Sequence, residues 1–149
     1  WNVGGKLTAQ QRNELLEELG LEHYECNCLV KIHNLAPQKG KECSFTVFSC
    51  GEFAIATSPF EWFDQSAIQV REQSPFKMTF TLGYTNGAES YLPTYLAFLH
   101  GSYEAYSCLY EVGTGEKCVI ELVNMLIENF LTEHSCLMEA LGYPCEKDR

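Results

Sequence analysis

The segment that most restricts the fold is residues 116–131, where apolar side chains recur with the period of an α-helix. They follow i, i+3, i+4, i+7 spacing at Val119, Leu122, Val123, Leu126, Ile127, Phe130 and Leu131. Residues 132–141 continue or restart this helix, and Gly142 and Pro144 stop it. A helix with one apolar stripe must bury that stripe against another layer of secondary structure.

Three stretches alternate apolar and polar residues with the period of a β-strand, and they predict the layer beside this helix. The clearest is residues 76–82, and a second is residues 43–49. The third is residues 24–35, whose alternating apolar side chains are Cys26, Cys28, Val30 and Ile32. We therefore predict one mixed sheet in which these three strands are neighbours, with the long helix packed on one face.

Two further helices are predicted from capping signals. Thr8 and Gln11 have the spacing of a capping box, which predicts a helix that Gly20 ends. Ser58-Pro59 has the form of an N-cap followed by proline at the first helical position, so a second helix should begin there. The apolar face of that helix would comprise Phe60, Phe63, Ala67 and Val70.

Helices interspersed with several strands are typical of an α/β architecture, here a mixed sheet with packed helices. The chain has 149 residues, so a single domain spanning residues 1–149 is expected. Residues 143–149 should form a loose tail. The sequence begins with Trp1 and shows no signal peptide, so we expect the chain to be the C-terminal part of a longer protein.

The charge of the chain excludes some classes of partner. Its formal net charge is −10, and it has only ten lysines and arginines in total. A nucleic-acid partner is not expected, because phosphate binding needs clustered basic side chains. An anionic membrane surface is disfavoured for the same reason, and no apolar run approaches the ~20 residues of a transmembrane helix.

The eight cysteines leave two chemical interpretations open. An even number in a short chain fits disulfides in a secreted protein. Several of them lie within apolar periodic stretches, however, where free cysteine behaves as a small apolar residue. No CxxC pair occurs, so a structural zinc site built from cysteines is not expected. Their placement favours mostly reduced thiols.

Residues 83–104 carry the greatest concentration of side chains suited to chemistry. The stretch follows the predicted strand at 76–82 and contains Tyr84, Tyr91, Tyr95, His100 and Tyr103. Loops that leave a rigid strand are where binding and catalytic residues tend to lie. The alternative is a hairpin followed by an aromatic-rich loop that serves only packing.

This stretch resembles a segment of the neutral/alkaline ceramidase family, zinc-dependent amidases that cleave N-acyl sphingosine. Residues 83–94 match the pattern G-Y-x-N-G-x-x-x-Y-x-P-T, and residues 101–104 match G-x-Y-E. Cys50-Gly51-Glu52 stands where the family has a P-G-E turn after a strand. Residues 73–76 and 113–116 are similar to the S-P-F and G-x-G-E segments of the family. The resemblance covers residues 45–130 and implies the C-terminal half of the catalytic region of a bacterial ceramidase-like protein.

The resemblance implies amide hydrolysis by water activated on zinc, which two upstream histidines, one glutamate and one tyrosine hold. It assigns the metal-binding glutamate to Glu52 and the metal-binding tyrosine to Tyr91. It also implies that Tyr103 is catalytic and donates a hydrogen bond to the oxyanion. The remaining site-loop residues are Asn86, Gly87 and Thr94. If Glu52 and Tyr91 follow neighbouring strands, their oxygens should lie about 3–4 Å apart, with Tyr103 on the other wall of the cavity.

Two classes of function remain after the sequence analysis. In the first, the chain is part of an amidase acting on a lipid-like N-acyl compound. Its four histidines form no HxH or HExxH motif, so zinc would bind only with histidines from a missing N-terminal half or a partner chain. The isolated chain should then be inactive and bind zinc weakly, and the family resemblance allows a secreted or membrane-associated protein. In the second class, the chain is a degenerate relative or interaction module that keeps the fold without the metal.

Overall fold

The computed structural model of the protein describes residues 8–35 and 40–141. Its helices there are α1 (Ala9–Leu19), α2 (His23–Leu35), α3 (Asp64–Gln73), α4 (Tyr95–His100), α5 (Tyr103–Ser107) and α6 (Thr114–Ala140). Its strands are β1 (Thr46–Cys50), β2 (Phe53–Thr57), β3 (Glu61–Trp62), β4 (Met78–Leu82) and β5 (Tyr91–Leu92). The expected tail at 143–149 lies outside the described residues. A mixed sheet with packed helices confirms the predicted α/β class.

The main sheet has three strands in the order β1-β2-β4. Strands β1 and β2 form an antiparallel hairpin, in which Cys50 pairs with Phe53 across a two-residue turn. Gly51 in that turn has a φ of 60°, a left-handed conformation that glycine adopts without a steric cost. Strands β2 and β4 run parallel, with α3 between them in the chain. The C-terminal ends of β2 and β4 therefore lie side by side at one end of the sheet.

The long helix α6 and the shorter α3 cover one face of this sheet, as predicted for the long helix. The core between them consists of Ala54, Ala56, Val70, Phe76, Val119, Leu122, Val123 and Leu126. Small alanines on the central strand let the helices approach closely, and the branched side chains of α6 fill the space above them. Each fully buried leucine contributes about 2 kcal/mol relative to an exposed one, so this face dominates the stability of the fold.

The prediction of a strand at residues 24–35 is wrong, because this stretch forms α2. The first helical hydrogen bond runs from the Cys26 N–H to the Glu22 carbonyl, and the Glu25 carboxylate accepts from the Glu22 N–H at 2.7 Å. This reciprocal bond is half of a capping box, a helix-start signal that the apolar alternation concealed. Packing of α2 on α1 and α5 then decides in favour of a helix over the β-propensity of its valine and isoleucine.

The two other predicted strands exist but are not neighbours, because β2 lies between β1 and β4. The helix predicted to begin at Ser58-Pro59 begins instead at Asp64, and the Thr8 capping box of α1 is confirmed. Ser58 does not cap a helix; its Oγ accepts from the N–H of Phe60 at 3.2 Å. Backbone groups of residues 58–60 bond to residues 82–89, so they are not available for a helical turn.

Two remaining features concern the cysteines and the membrane. All cysteines of the described part of the chain carry free thiols, and Cys26 and Cys108 among them are buried. No helix within residues 8–35 and 40–141 is both long and apolar enough to cross a membrane.

Candidate functional site

The candidate site begins where the chain leaves β2. Residues 58–60 are fully buried and bond through their backbone to the loop that follows β4. The Tyr84 N–H donates to the Phe60 carbonyl at 3.2 Å, and the Glu89 N–H donates to the Pro59 carbonyl at 2.8 Å. Strand β3 then pairs parallel with β5, which sets Glu61 opposite Tyr91. Tertiary pairing between distant segments thus places a carboxylate beside a phenol.

A second phenol reaches the same carboxylate. Tyr84 donates a hydrogen bond from its hydroxyl to Oε2 of Glu61. Its backbone φ is 51°, a strained value for a residue with a side chain, and the loop holds it there. Glu61 is consequently the acceptor at the centre of a tyrosine cluster.

The rest of the cluster consists of aromatic rings from α2 and α5. The ring of Tyr103 packs edge-on against Tyr91, with centroids 5.8 Å apart and an interplanar angle of 80°. The ring of Tyr24 also packs on Tyr103, with centroids 5.8 Å apart. These rings border a cavity of about 260 Å³ that is lined by Cys28, Lys31, Tyr84, Ser90, Tyr91, Tyr103, Tyr106, Ser107 and Leu109. Three sequence-distant segments therefore form one polar, aromatic concavity.

The electrostatics of the cluster keep its phenols protonated. The hydrogen bond to Glu61 raises the pKa of Tyr84 to about 12. Partial burial, and then the negative charge of Glu61, raises the pKa of Tyr91 above its ordinary value. Burial and the Glu25 carboxylate likewise raise the pKa of Tyr24. These hydroxyls are thus neutral hydrogen-bond donors near pH 7.

The structure does not bring Glu52 to Tyr91. Glu52 lies in the β1–β2 turn, before β2, where its carboxylate accepts from Lys77 at 3.1 Å. The five residues of β2 separate this turn from the Glu61 end by roughly 13 Å at ~3.3 Å per residue. The expected approach of Glu52 and Tyr91 to 3–4 Å is therefore not found. The strand before Glu52, β1, runs antiparallel to β2 and β4, so its C-terminal end lies at the opposite end of the sheet from theirs. Tyr103 does approach Tyr91 from another wall, as expected.

Glu61 is the site residue that the sequence analysis missed. It stands two positions after Pro59, and Pro59-Phe60-Glu61 follows the strand β2. Pro59-Phe60-Glu61 and Cys50-Gly51-Glu52 each follow a strand and each keep two of the three residues of a P-G-E turn, so the motif alone does not choose between Glu61 and Glu52. The signal was present in the sequence, but the assignment of a helix to this segment concealed it.

The other predicted site-loop residues shape the loop and do not line the cavity. The Asn86 side chain donates to the hydroxyls of Thr46 and Thr57 at 3.0 and 3.3 Å, which ties the loop to the sheet. A Cβ on Gly87 would lie 3.0 Å from the Pro59 Cβ, so any other residue here would require Pro59 to shift by a few tenths of an ångström. Thr94 caps α4 by accepting from the Ala97 N–H at 3.3 Å. All three residues shape the chain on either side of Tyr91.

An ion pair anchors the same loop from outside. Glu89 accepts two hydrogen bonds from Lys41, both 2.7 Å long, and a third from the Tyr110 hydroxyl at 3.0 Å. Lys41 first and Tyr110 second lower the pKa of Glu89, so this anchor persists across the neutral pH range. It fixes the segment that leads into β5.

The oxygen atoms of Glu61 and Tyr91 are suited to bind zinc as part of a metal centre. A carboxylate and a phenol are oxygen ligands that zinc accepts beside imidazole. Among residues 8–35 and 40–141, however, no group of three or more His, Cys, Asp and Glu side chains is placed to hold a metal ion. Glu61 and Tyr91 would thus supply two ligands, and a catalytic zinc site normally has three protein ligands. The remaining ligands would have to come from outside the described residues.

Comparisons of the chain with models of protein families, with curated proteins and with solved structures found no match.

Proposed function

We propose that this chain forms part of the active site of a zinc-dependent amide hydrolase of the neutral ceramidase type. The observation that supports the proposal is the pairing of Glu61 with Tyr91, beside which Tyr103 packs. In the ceramidase-like motifs a glutamate after a strand and the tyrosine of Y-x-P-T are both metal ligands. Here a Pro-x-Glu glutamate and that tyrosine are adjacent in space although thirty positions apart in the sequence.

In this proposal Glu61 and Tyr91 hold the metal together with histidines from a missing N-terminal half or a partner chain. Zinc, when bound, would acidify a water molecule and polarise the amide carbonyl. Glu61 now accepts hydrogen bonds from phenols. A metal cation would replace one of them, because a carboxylate anion attracts a cation more strongly than it attracts a neutral hydroxyl. Tyr84 would remain beside Glu61 and fix its orientation.

The proposed role of Tyr103 is to donate a hydrogen bond to the oxyanion that forms from the amide carbonyl. Its ring packs on both Tyr91 and Tyr24, while about half of its surface remains exposed and it lines the cavity. One preorganised donor of this kind typically contributes on the order of 3 kcal/mol to transition-state stabilisation. The acyl group of the substrate, a lipid-like N-acyl compound, would extend away from this cavity.

The ligand assignment can be tested on the chain as it exists by NMR-monitored titration with Zn²⁺. Added imidazole would take the place of the absent histidines and should strengthen binding. We expect the signals of Glu61 and Tyr91 to move first, and Glu61→Gln to remove the effect. Glu52→Gln is the matched control and should bind as the unaltered chain does. Tight binding that survives Glu61→Gln, or signals that move first at Glu52, would contradict the assignment.

The second candidate function is a non-catalytic interaction module. The observation that favours it is the packing of Tyr24, Tyr91 and Tyr103 against one another, because tyrosines are enriched at protein interfaces. In that case the tyrosine cluster would serve packing and partner recognition. If neither Glu61 nor Tyr91 responds to Zn²⁺ with imidazole present, this alternative replaces the hydrolase proposal.

A further inference from the structure

The cavity beside the tyrosine cluster is small and polar, which restricts what it can bind. Its volume is about 260 Å³, roughly that of nine water molecules at ~30 Å³ each. A space of this size holds the polar end of a small molecule but not a long acyl chain. Lys31 is the one charged residue among the described residues that line it, and the others are four tyrosines, two serines, one cysteine and one leucine.

Contacts between α2 and α5 place Lys31 at one end of this cavity. Tyr24 packs on Tyr103 at the start of α5, and the Cys28 Sγ lies 3.6 Å from the Ser107 Oγ at its end. Tyr24, Cys28 and Lys31 share one face of α2, because their spacing is i, i+4, i+7. Lys31 follows Tyr24 by seven residues, which is about 10 Å along the helix axis at ~1.5 Å per residue. The cavity thus extends from a tyrosine end at Tyr103 to a Lys31 end.

The two ends of the cavity differ in charge. At the tyrosine end, partial burial first, and then the negative charges of Glu61 and Glu104, raise the pKa of Tyr91. At the Lys31 end, the ammonium group of Lys31 forms no hydrogen bond or ion pair with another described residue. An anionic group in the cavity would therefore be repelled from the tyrosine end and attracted to the Lys31 end. This difference in charge gives a bound anion one direction.

Hydrogen-bond donors that have no partner also line the cavity. The Ser90 hydroxyl is already engaged, because it donates to the Ser107 carbonyl at 2.8 Å. The hydroxyls of Tyr103 and Tyr106, in contrast, bond to no other residue in the described part of the chain. Two phenol hydroxyls and the Lys31 ammonium group can thus donate to a ligand. A ligand that carries an amide carbonyl and a carboxylate has the matching acceptors.

We propose that this cavity binds the amine portion of the substrate, and that this portion carries a carboxylate that pairs with Lys31. The substrate class is then an N-acyl amino acid. Its amide would lie at Tyr103, and its acyl chain would extend outside the cavity. The inference rests on the proposed hydrolase function, but the carboxylate site itself uses none of the metal ligands. Lys31 would determine specificity by favouring a carboxylate over a neutral group.

An NMR titration of the metal-free chain tests this proposal. The probe is N-acetyl-γ-aminobutyrate, and the carboxamide of the same compound is its uncharged counterpart. We expect the signals of Tyr103 and Tyr106 to shift with the carboxylate. The dissociation constant should be in the millimolar range, because a ligand of about ten heavy atoms makes few contacts. The carboxamide should bind about fivefold more weakly, which is the effect of one exposed ion pair.

Variants of two lysines identify the residue that selects the carboxylate. Lys31→Gln should remove the preference, so that both probes bind alike, and Lys31→Arg should keep it. Lys77→Gln is the matched control, because Lys77 is also an exposed lysine but pairs with Glu52 at the opposite end of the sheet. Equal binding of both probes to the unaltered chain, or a preference that survives Lys31→Gln, would overturn the proposal. The absence of shifts at Tyr103 and Tyr106 up to about 50 mM probe would overturn it as well.

The outcome of this titration is separate from that of the zinc titration. If the chain prefers the carboxylate but Glu61 and Tyr91 do not respond to Zn²⁺, the carboxylate site stands and the hydrolase function fails. If Glu61 and Tyr91 respond to Zn²⁺ and the chain does not prefer the carboxylate, the hydrolase function stands and this substrate class is wrong.

Discussion

Two glutamates flank β2, and the structure gives them opposite surroundings. Glu52 at the start of the strand is exposed and pairs with one exposed lysine. Glu61 beyond the end of the strand is half-buried, accepts from Tyr84 and faces Tyr91. The same residue type thus lies on the surface at the start of β2 and at the centre of a polar cluster beyond its end. Converging chain segments, rather than the residue type alone, therefore create a candidate site.

The largest expected effect comes from removing the packing beneath the Glu61 end. Leu92, next to Tyr91, is 1% exposed, so Leu92→Ala leaves a cavity. We expect the free energy of unfolding to fall by about 2–5 kcal/mol. Urea denaturation in dilute solution measures it. Met78→Ala at the Glu52 end is the control and should cost far less, because that side chain is mostly exposed. Equal losses in both variants would show that the two ends do not differ in packing.

The next effect concerns titration at the Glu61 end. The hydrogen bond to the Glu61 carboxylate is the main cause that raises the pKa of Tyr84 to about 12. Glu61→Gln replaces this carboxylate with a neutral, weaker acceptor, so the pKa should fall toward its ordinary value. The raised pKa means that the folded chain gains stability below about pH 10 and loses it as the pH rises toward 12. The variant should lose less stability over that window. Absorbance near 295 nm follows the phenols, and Glu52→Gln should leave the titration unchanged.

A smaller effect is expected from the cap that leads out of the site. Thr94→Ala removes the acceptor for the Ala97 N–H at the start of α4. The cost should be about 1 kcal/mol, the typical value for losing an N-cap. Thr94→Ser keeps the acceptor and should retain most of the stability in urea denaturation. A loss in the serine variant as large as in the alanine variant would assign the effect to the threonine methyl group instead.

The smallest effect is predicted at the Glu52 end. The Glu52–Lys77 pair is exposed, and solvent screens its charges, so Glu52→Gln should not measurably change the free energy of unfolding. Thermal melts at low and high salt should coincide for the variant and the unaltered chain. A clear destabilisation would show that Glu52 takes part in a structural network and would weaken the contrast between the two ends.

Several helices and turns were predictable because the sequence signals for them are local. The Thr8 capping box, the Gly51 turn and the apolar stripe of α6 each depend on residues within a few positions of one another. The segment at residues 24–35 was not predictable in the same way. Its alternating cysteine, valine and isoleucine residues fit a strand, while contacts with α1 and α5 decided for a helix.

The candidate site shows the same division. Sequence motifs alone singled out Tyr91 and Tyr103, which the structure brings together, and they also singled out Glu52, which it places elsewhere. Choosing Glu61 requires knowing that β2 ends at Thr57 and that residues 58–60 bond to the loop after β4.

By itself the sequence determined the α/β class, the long core helix and the tyrosine-rich loop, because periodicity and turn residues act over short distances along the chain. Only the tertiary structure decided which glutamate meets Tyr91 and which face of the sheet stays open. Both depend on strand order and register, and those are set by pairing between residues far apart in the sequence.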